Sequence, residues 1–172
     1  CQACVAVRLP VREFAPDRSQ RRCLKRNADL RIDARPARRT DEVFELYRRY
    51  VDSRHAGGGM DGPATEDFDR FVACDWSPTQ FLEFRLGDRL LAVAVTDVLP
   101  ASLSSVYTFY DPDQAARSLG TFAILSQIEW ARREGREHLY LGFWLKDHPK
   151  MHYKENYRPQ ERLLGRAWVR QA

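Results

Sequence analysis

The densest group of chemically capable side chains lies at residues 146–154, which read KDHPKMHYK. If this segment is helical, Lys150 and Lys154 fall four residues apart on one face. Two neighbouring ammonium groups repel each other unless an anion lies between them, so the pair favours a phosphate ligand, with two solvated surface lysines as the alternative. His148 and His152 have the same spacing, but no third ligand is evident, so surface histidines are favoured over a metal site.

A second candidate anion site is the segment 117–121, Arg-Ser-Leu-Gly-Thr. Apolar residues spaced three apart predict a helix that begins at Ser118 and ends near Gly135. The unpaired N–H groups of its first turn would favour an anion. The segment lacks the full Arg/Gln-x-x-Gly-x-Gly/Ala pattern of loops that bind coenzyme A pyrophosphate, because Thr121 and Phe122 follow its glycine.

Two further residues stand where predicted strands end. Trp144 follows such an end, the edge where open α/β sheets bind ligands, and its indole could stack on an unpaired adenine. Asp111 follows another strand, and it is either a catalytic base or a turn residue preceding Pro112. The sequence has no G-x-S-x-G, Walker or H-E-x-x-H motif, which argues against serine hydrolase, P-loop and zincin chemistry.

Composition indicates a folded domain with an uneven charge. Of the 172 residues, 44% are hydrophobic, enough for a core, and no apolar run is long enough to span a membrane. Residues 1–40 hold 11 basic and four acidic side chains, a net +7 within a total of +4. This segment suits a polyanion partner, with a solvated arginine face as the alternative. Cys1 and Cys4 are half of a metal site, and reduced thiols in an intracellular compartment are equally compatible with them.

Periodicity predicts a mixed chain of strands and helices. Alternating apolar residues at 5–11 predict a strand that ends near Pro16, and Asp17 or Ser19 could cap a short helix after it. A helix follows Thr40, and a short one surrounds Phe68. The remaining predicted elements are three strands at 81–86, 90–98 and 103–110, the helix after Ser118, a strand at 139–143, a short helix at 149–156 and a strand at 163–169. This order resembles the fold of Gcn5-related N-acetyltransferases (GNAT), an α+β fold with a central mixed, largely antiparallel sheet flanked by helices. We expect a basic N-terminal segment, 1–39, and a GNAT-like domain, 40–172.

Several blocks together resemble the arginyl/leucyl-tRNA–protein transferase family, closest to its bacterial aspartate/glutamate leucyltransferase branch. They occur in the family's order and span nearly the whole chain. The blocks are Ser19-Gln20-Arg21-Arg22, Arg54-His55 with Gly58-Gly59-Met60, Ser105-Val106-Tyr107-Thr108-Phe109-Tyr110-Asp111-Pro112, Arg117-Ser118-Leu119-Gly120-Thr121, Tyr140-Leu141-Gly142-Phe143-Trp144, and Lys150-Met151 with Tyr153-Lys154 leading to Tyr157-Arg158-Pro159.

The resemblance implies a cytoplasmic enzyme that takes leucine from aminoacyl-tRNA and adds it to proteins beginning with Asp or Glu, marking them for N-end rule degradation. The reaction is aminolysis of an ester, so its chemistry needs no cofactor, although an iron–sulfur cluster or zinc at the cysteine-rich region is implied as an option. The site residues expected on this basis are Asp111 and Tyr107 for catalysis, Arg21, Arg22 and Arg54 for the acidic N-terminus, Cys1 and Cys4 for a partial metal site, and Arg117, Ser118, Gly120, Thr121, Trp144, Lys150, Tyr153 and Lys154 for aminoacyl-tRNA.

Three alternatives to this function stay open. The donor could be arginyl-tRNA, as in the eukaryotic branch of the same family. An acyl-CoA-dependent N-acyltransferase would use the same fold, although the incomplete pyrophosphate loop counts against it. A non-catalytic nucleic-acid-binding module would need only the basic N-terminal segment.

Overall fold

Strands and helices alternate along the chain in the computed structural model, which describes residues 3–54, 64–72, 77–146, 148 and 151–171. None of the described helices is long and apolar enough to cross a membrane. The elements are β1 (Val5–Pro10), α1 (Arg18–Arg26), β2 (Arg31–Pro36), α2 (Asp41–Arg54), α3 (Thr65–Val72), β3 (Thr79–Leu86), β4 (Arg89–Leu99), β5 (Ser102–Tyr110), a first 3₁₀ turn (Pro112–Arg117), α4 (Leu119–Arg133), β6 (His138–Trp144), a second 3₁₀ turn (His152–Asn156), β7 (Gln160–Leu164) and β8 (Ala167–Gln171).

One sheet holds all the described strands, in the order β2-β3-β4-β5-β6-β1-β7-β8. Neighbours are antiparallel except β5 and β6, which run parallel and pair only through Ser102–Ser104 and His138–Tyr140. Beyond this short ladder, β5 continues along β4 and β6 continues along β1. The sheet therefore has a gap between the C-terminal halves of β5 and β6.

Helices cover both faces of the sheet, and the side chains of β4 pack against helices on each face. Ala92 and Ala94 belong to the apolar layer that includes α1 and α4, whereas Val93 and Val95 belong to the layer that includes α2 and α3. Because successive side chains of a strand point to opposite faces, a strand covered on both sides is apolar at every position. Residues 90–95, LLAVAV, are all buried for this reason.

Local sequence sets the helix starts. The Asp17 carboxylate accepts from the Gln20 N–H at 2.8 Å, and the Gln20 side chain accepts from the Asp17 N–H at 2.9 Å, which is a capping box. The Thr40 hydroxyl accepts from the Val43 N–H at the start of α2. Between β3 and β4, Gly87 has a φ of +58°, which a two-residue hairpin turn requires and which glycine adopts without strain.

The mixed α+β fold with a largely antiparallel sheet is confirmed, while several predicted elements were wrong or missing. Strand β2, RIDARP, was not predicted, because it is a polar edge strand without apolar alternation. The predicted strand 163–169 is two strands, β7 and β8, joined at Gly165 with a φ of +64°. The predicted helix 149–156 is, over its described residues, a short 3₁₀ turn. The predicted division after residue 39 falls between β2 and α2, and both β1 and β2 pair with strands from the later segment.

Candidate functional site

A cleft of about 920 Å³ opens where β5 and β6 part. Its walls come from both separated strands, from the end of α2, from the first turns of α4 and from the second 3₁₀ turn. Backbone groups on the facing edges of the two strands lack a strand partner in this gap, so they can hydrogen-bond a ligand. The lining residues are Tyr50, Arg54, Ser105, Val106, Tyr107, Thr108, Tyr110, Ser118, Gly120, Thr121, Ile124, Leu141, Gly142, Phe143, Met151, Tyr153, Lys154 and Tyr157.

Tyrosines and one arginine form the end of the cleft beside α2. The ring centroid of Tyr50 lies 4.8 Å from that of Tyr110 and 6.2 Å from that of Tyr107. The Arg54 guanidinium lies 5.9 Å from the Tyr50 centroid, and the electrostatic influence of Tyr50 and Tyr110 raises the pKa of Arg54. No ion pair joins Arg54 to a carboxylate among the described residues. A permanent cation is therefore available to an acidic ligand at this end.

The predicted catalytic residue Tyr107 faces the same space. Its hydroxyl is buried and has no hydrogen-bond partner within the described part of the chain. Burial raises the pKa of Tyr107, so its phenol stays protonated at neutral pH. The phenol is therefore a buried donor without a described acceptor, in a residue that lines the cleft.

Lys154 lies on the opposite wall and is only 4% exposed. Its ammonium group donates to the carbonyl of Phe143 and lies 3.4 Å from the Met151 Sδ. Burial lowers the pKa of Lys154, and no described carboxylate compensates its charge. Because a buried unpaired cation is costly, this geometry favours a ligand oxygen that carries or develops negative charge.

The start of α4 forms the floor between these two walls. Ser118, the residue before α4, has a φ of +55° and makes no side-chain cap bond. First-turn N–H groups are therefore left for a ligand. Gly120 brings this backbone against Tyr110, whose Cε1 atom would lie 3.5 Å from an added Cβ. Ser118, Gly120 and Thr121 all line the cleft, as the sequence predicted.

Asp111 and Arg117, two further predicted residues, lie outside the cleft lining. Asp111 is fully buried, accepts from Arg49 at 2.8 Å and pairs also with Arg89. It also accepts from the Asp113 N–H, so it caps the first 3₁₀ turn. Arg117 donates to both oxygens of Asp29 at 2.9 Å. These contacts hold the loop that leads to Ser118.

Of the other predicted residues that the structure describes, Arg21, Arg22 and Trp144 lie outside the cleft lining and Tyr153 lies within it. Arg21 donates to the Pro16 carbonyl, and Arg22 lines a smaller, separate pocket that also touches Ser118 and Thr121. Trp144 does not line the cleft, because the guanidinium of Arg162 lies 3.8 Å from its ring centroid and covers it. Tyr153 lines the cleft beside Lys154.

Lys150 and Cys1 lie outside the described residues, so their predicted roles are not addressed by the structure. Cys4 is an exposed free cysteine. Within the described part of the chain, no three His, Cys, Asp or Glu side chains are grouped as metal ligands. Of the two cysteines of the predicted partial metal site, Cys4 is the one that the structure describes.

Phe143 and Tyr50 are cleft residues that sequence reasoning did not select. Phe143 is 57% exposed and lines the cleft. The signal that could have identified it is its position at the C-terminal end of a strand next to a parallel partner, where open sheets bind ligands. Tyr50 reads as part of the apolar stripe of α2, and its ring does pack there, with one side at the cleft.

The fold and cleft define the class of protein: a mixed α+β domain in which two parallel strands part to form a cleft. A family model described as arginine-tRNA-protein transferase, C terminus, matches residues 42–164. An aspartate/glutamate leucyltransferase of Stenotrophomonas maltophilia (strain R551-3) is 58% identical, covering 98% of this chain and 69% of its own length. One of the same description from Xanthomonas campestris pv. campestris (strain B100) is 56% identical, with 97% and 69% covered. The chain therefore belongs to the arginine-tRNA–protein transferase family, and the predicted resemblance is confirmed.

Solved structures with low sequence identity share the fold. L-PGS from Bacillus licheniformis superposes with a TM-score of 0.62 at 10% identity, covering 86% of this chain and 47% of that one. FemX superposes with a TM-score of 0.57 at 8% identity, covering 85% and 54%. The shared fold occupies about half of each of these longer chains.

Proposed function

We propose that this chain transfers leucine from leucyl-tRNA to the N-terminal amine of proteins that begin with Asp or Glu. The relatives, which are named aspartate/glutamate leucyltransferases, support the reaction, and one observation carries it at the level of the site. The cleft presents two separate cations, Arg54 and Lys154, on opposite walls, with an aromatic and apolar lining between them. A GNAT-like arrangement, with the donor held between the parted strands and the start of α4, is part of the proposal.

Arg54 binds the acidic side chain of the acceptor in this scheme. It is the cation at the tyrosine-lined end, and no described carboxylate occupies it. Its guanidinium can hold a carboxylate with two parallel hydrogen bonds, which a lysine cannot do. Discrimination against Asn and Gln then follows, because those amides are uncharged and gain no ion pair with Arg54.

Lys154 binds the ester carbonyl oxygen of the donor. Aminolysis passes through a tetrahedral intermediate in which this oxygen becomes negatively charged, and donors placed around it in a dry site lower the barrier. Lys154 supplies a buried ammonium for this oxygen, and the catalytic role of Tyr107 remains a prediction. The burial of Lys154 supports this role over the surface phosphate contact that its spacing suggested.

The reaction balances without a metal or a nucleotide. The acceptor α-ammonium, with an ordinary pKa of about 7.7–8.0, loses one proton to solvent at neutral pH. Its nitrogen forms a bond to the carbonyl carbon, and the bond from that carbon to the ribose oxygen breaks. A second proton moves from the nitrogen to the departing ribose oxygen. Holding amine and ester together is therefore a large part of the catalysis. A base role for Asp111 remains a prediction that its position outside the cleft does not support.

Charge in the cleft favours leucine over arginine as donor. The described lining contains Val106, Ile124, Leu141 and Met151 and no aspartate or glutamate. A buried guanidinium needs a carboxylate or several acceptors, whereas an isobutyl group needs only apolar contacts. The same lining, with its two cations, would repel an arginyl side chain.

One assay separates this function from its alternatives. The chain is incubated with labelled leucyl-tRNA or arginyl-tRNA and with peptides that begin with Asp, Glu or Asn. Labelled leucine on the Asp and Glu peptides alone is expected. Transfer of arginine would assign the other donor, and acylation by an acyl-CoA without tRNA would replace the proposal with a small-molecule acyltransferase.

A further inference from the structure

We propose that the small pocket between α1 and the start of α4 binds a backbone phosphate of the donor RNA, and that Arg22 and Arg26 contact this phosphate. Neither the resemblance nor the relatives' descriptions assign this pocket. The proposal rests on the proposed function for the identity of the RNA, and it gives Arg22 a partner different from the acceptor carboxylate expected from the sequence. The pocket is lined by Ser19, Arg22, Cys23, Arg26, Ser118 and Thr121.

The size and position of the pocket fit one phosphate group. Its volume is about 130 Å³, below the range of roughly 300–1,000 Å³ that holds a whole small molecule. Ser118 and Thr121 line both this pocket and the main cleft. A phosphate here would therefore lie directly next to the group bound in the cleft. In an RNA whose 3′ end carries the reacting ester, a phosphodiester lies close to that ester.

The charge of α1 points to the same ligand. Residues 18–26 contain five basic side chains and no acidic one. Arg18, Arg22 and Arg26 succeed one another at intervals of four, so their like charges lie along one face, an unfavourable arrangement without an anion. Arg26 donates to the Ala116 carbonyl, while Arg22 has no ion pair or hydrogen bond with any described residue. No carboxylate lines the pocket.

The walls of the pocket are held in place before any ligand binds. Buried Asn27 donates to the Arg117 carbonyl at 2.8 Å, and the Cys23 Sγ lies 3.6 Å from the Ser118 carbonyl. Arg117 is in turn bound to Asp29. These contacts join the end of α1 to the loop before α4, so the backbone of α1 and that of Ser118 keep their relative positions, while the Arg22 side chain is exposed. Preformed sites lose less affinity to ordering than flexible ones.

Binding of leucyl-tRNA to the full chain at several salt concentrations tests the pocket. Arg22→Ala and the double variant R22A/R26A are compared with Lys25→Ala, which removes one charge from the same helix outside the pocket. We expect the double variant to bind about tenfold more weakly, and the slope of log affinity against log salt to fall by about 0.7 per lost contact. Lys25→Ala should change both quantities much less. Arg26→Lys, which keeps the charge, should bind like the parent, and thermal melting verifies that each variant is folded.

The failures of this inference and of the proposed function are distinguishable. If R22A/R26A binds and transfers like Lys25→Ala while the parent transfers leucine, the phosphate pocket is wrong and the function stands. If the parent transfers no leucine, unacylated tRNA still decides the pocket through the same salt slopes. If the arginine variants raise KM for the Asp peptide and leave tRNA affinity unchanged, Arg22 binds the acceptor and the inference is overturned. If the arginine variants lose affinity for coenzyme A and keep their affinity for RNA, the inference is also overturned.

Discussion

Replacing Lys154 by methionine should abolish most of the transfer activity without weakening the fold. Methionine has a similar length and keeps the contact with Met151, but it removes the only cation on this wall of the described cleft. Loss of one donor to a developing oxyanion lowers kcat by about 10²- to 10³-fold in well-studied acyl transfer sites. We expect a loss of that size in leucine transfer to an Asp peptide.

The same substitution should leave stability equal or higher. The Lys154 ammonium is desolvated, and its described partners are a carbonyl, a thioether and the Tyr153 ring, whose centroid lies 5.7 Å away, so no carboxylate compensates its charge. Such a group costs on the order of 1 kcal/mol, and its removal should raise Tm by about 2–4 °C in a chain of this size. Because burial lowers the pKa of Lys154 in the folded state, the unfolded chain binds more protons between that lowered pKa and 10.5. Stability of the parent should therefore rise with pH in that window, and the rise should be smaller in Lys154→Met.

Single-turnover transfer, tRNA affinity and thermal melting together decide the matter, with Lys25→Met as an exposed control. Transfer within about threefold of the parent would refute the role at the ester carbonyl. A large loss of tRNA affinity with unchanged single-turnover rate would instead support the phosphate contact predicted from sequence. A Tm lowered by more than about 5 °C would make Lys154 a structural residue.

Three more substitutions test other parts of the site. Arg54→Gln should raise KM for Asp- and Glu-starting peptides by roughly tenfold or more through loss of a charged hydrogen bond, and unchanged peptide kinetics would exclude it as the reader of the acidic residue. Asp111→Asn should lower Tm by about 4–8 °C, because the fully buried carboxylate loses its ion pairs with Arg49 and Arg89. Both arginines are partly solvated, so the expected loss of stability is only about 2 kcal/mol. A stable but inactive protein would restore the base role. Phe143→Ala should weaken leucyl-tRNA binding roughly tenfold if the exposed ring stacks on a base, and equal affinity would argue that it does not.

The start of α1 and the β3–β4 hairpin could be predicted because their causes are local. The capping box of Asp17 and Gln20 and the turn at Gly87 act over three or four residues, so the sequence shows them directly. Strand β2 escaped prediction because an edge strand needs only its backbone to pair with β3, and its side chains are free to be polar. The position of β1 between β6 and β7 also depends on pairings with residues far away in the chain, such as Val7 with Arg162, which no local pattern reports.

The site residues also divide into those that the sequence identified correctly and those whose surroundings only the fold decides. Ser118, Gly120, Thr121, Tyr107, Arg54, Tyr153 and Lys154 were selected from motifs and do line the cleft. Trp144 was selected by the same reasoning, but Arg162 from β7 covers its ring. Asp111 reads as an exposed turn residue or a base, yet arginines from α2 and β4 enclose it. The sequence shows which chemistry a side chain can do, while its neighbours decide whether a substrate can reach it.

The sequence by itself determined the family, the α+β class, the helix boundaries set by caps and the basic character of α1, because these depend on residue types and short spacings. Only the tertiary structure decided that Lys154 is buried in a cleft rather than exposed beside Lys150 on a helix. It also decided that Arg22 and Arg54 line separate pockets. The physical reason is that burial and pairing arise where β5 and β6 part and where α1 meets α4, contacts between segments far apart in the chain.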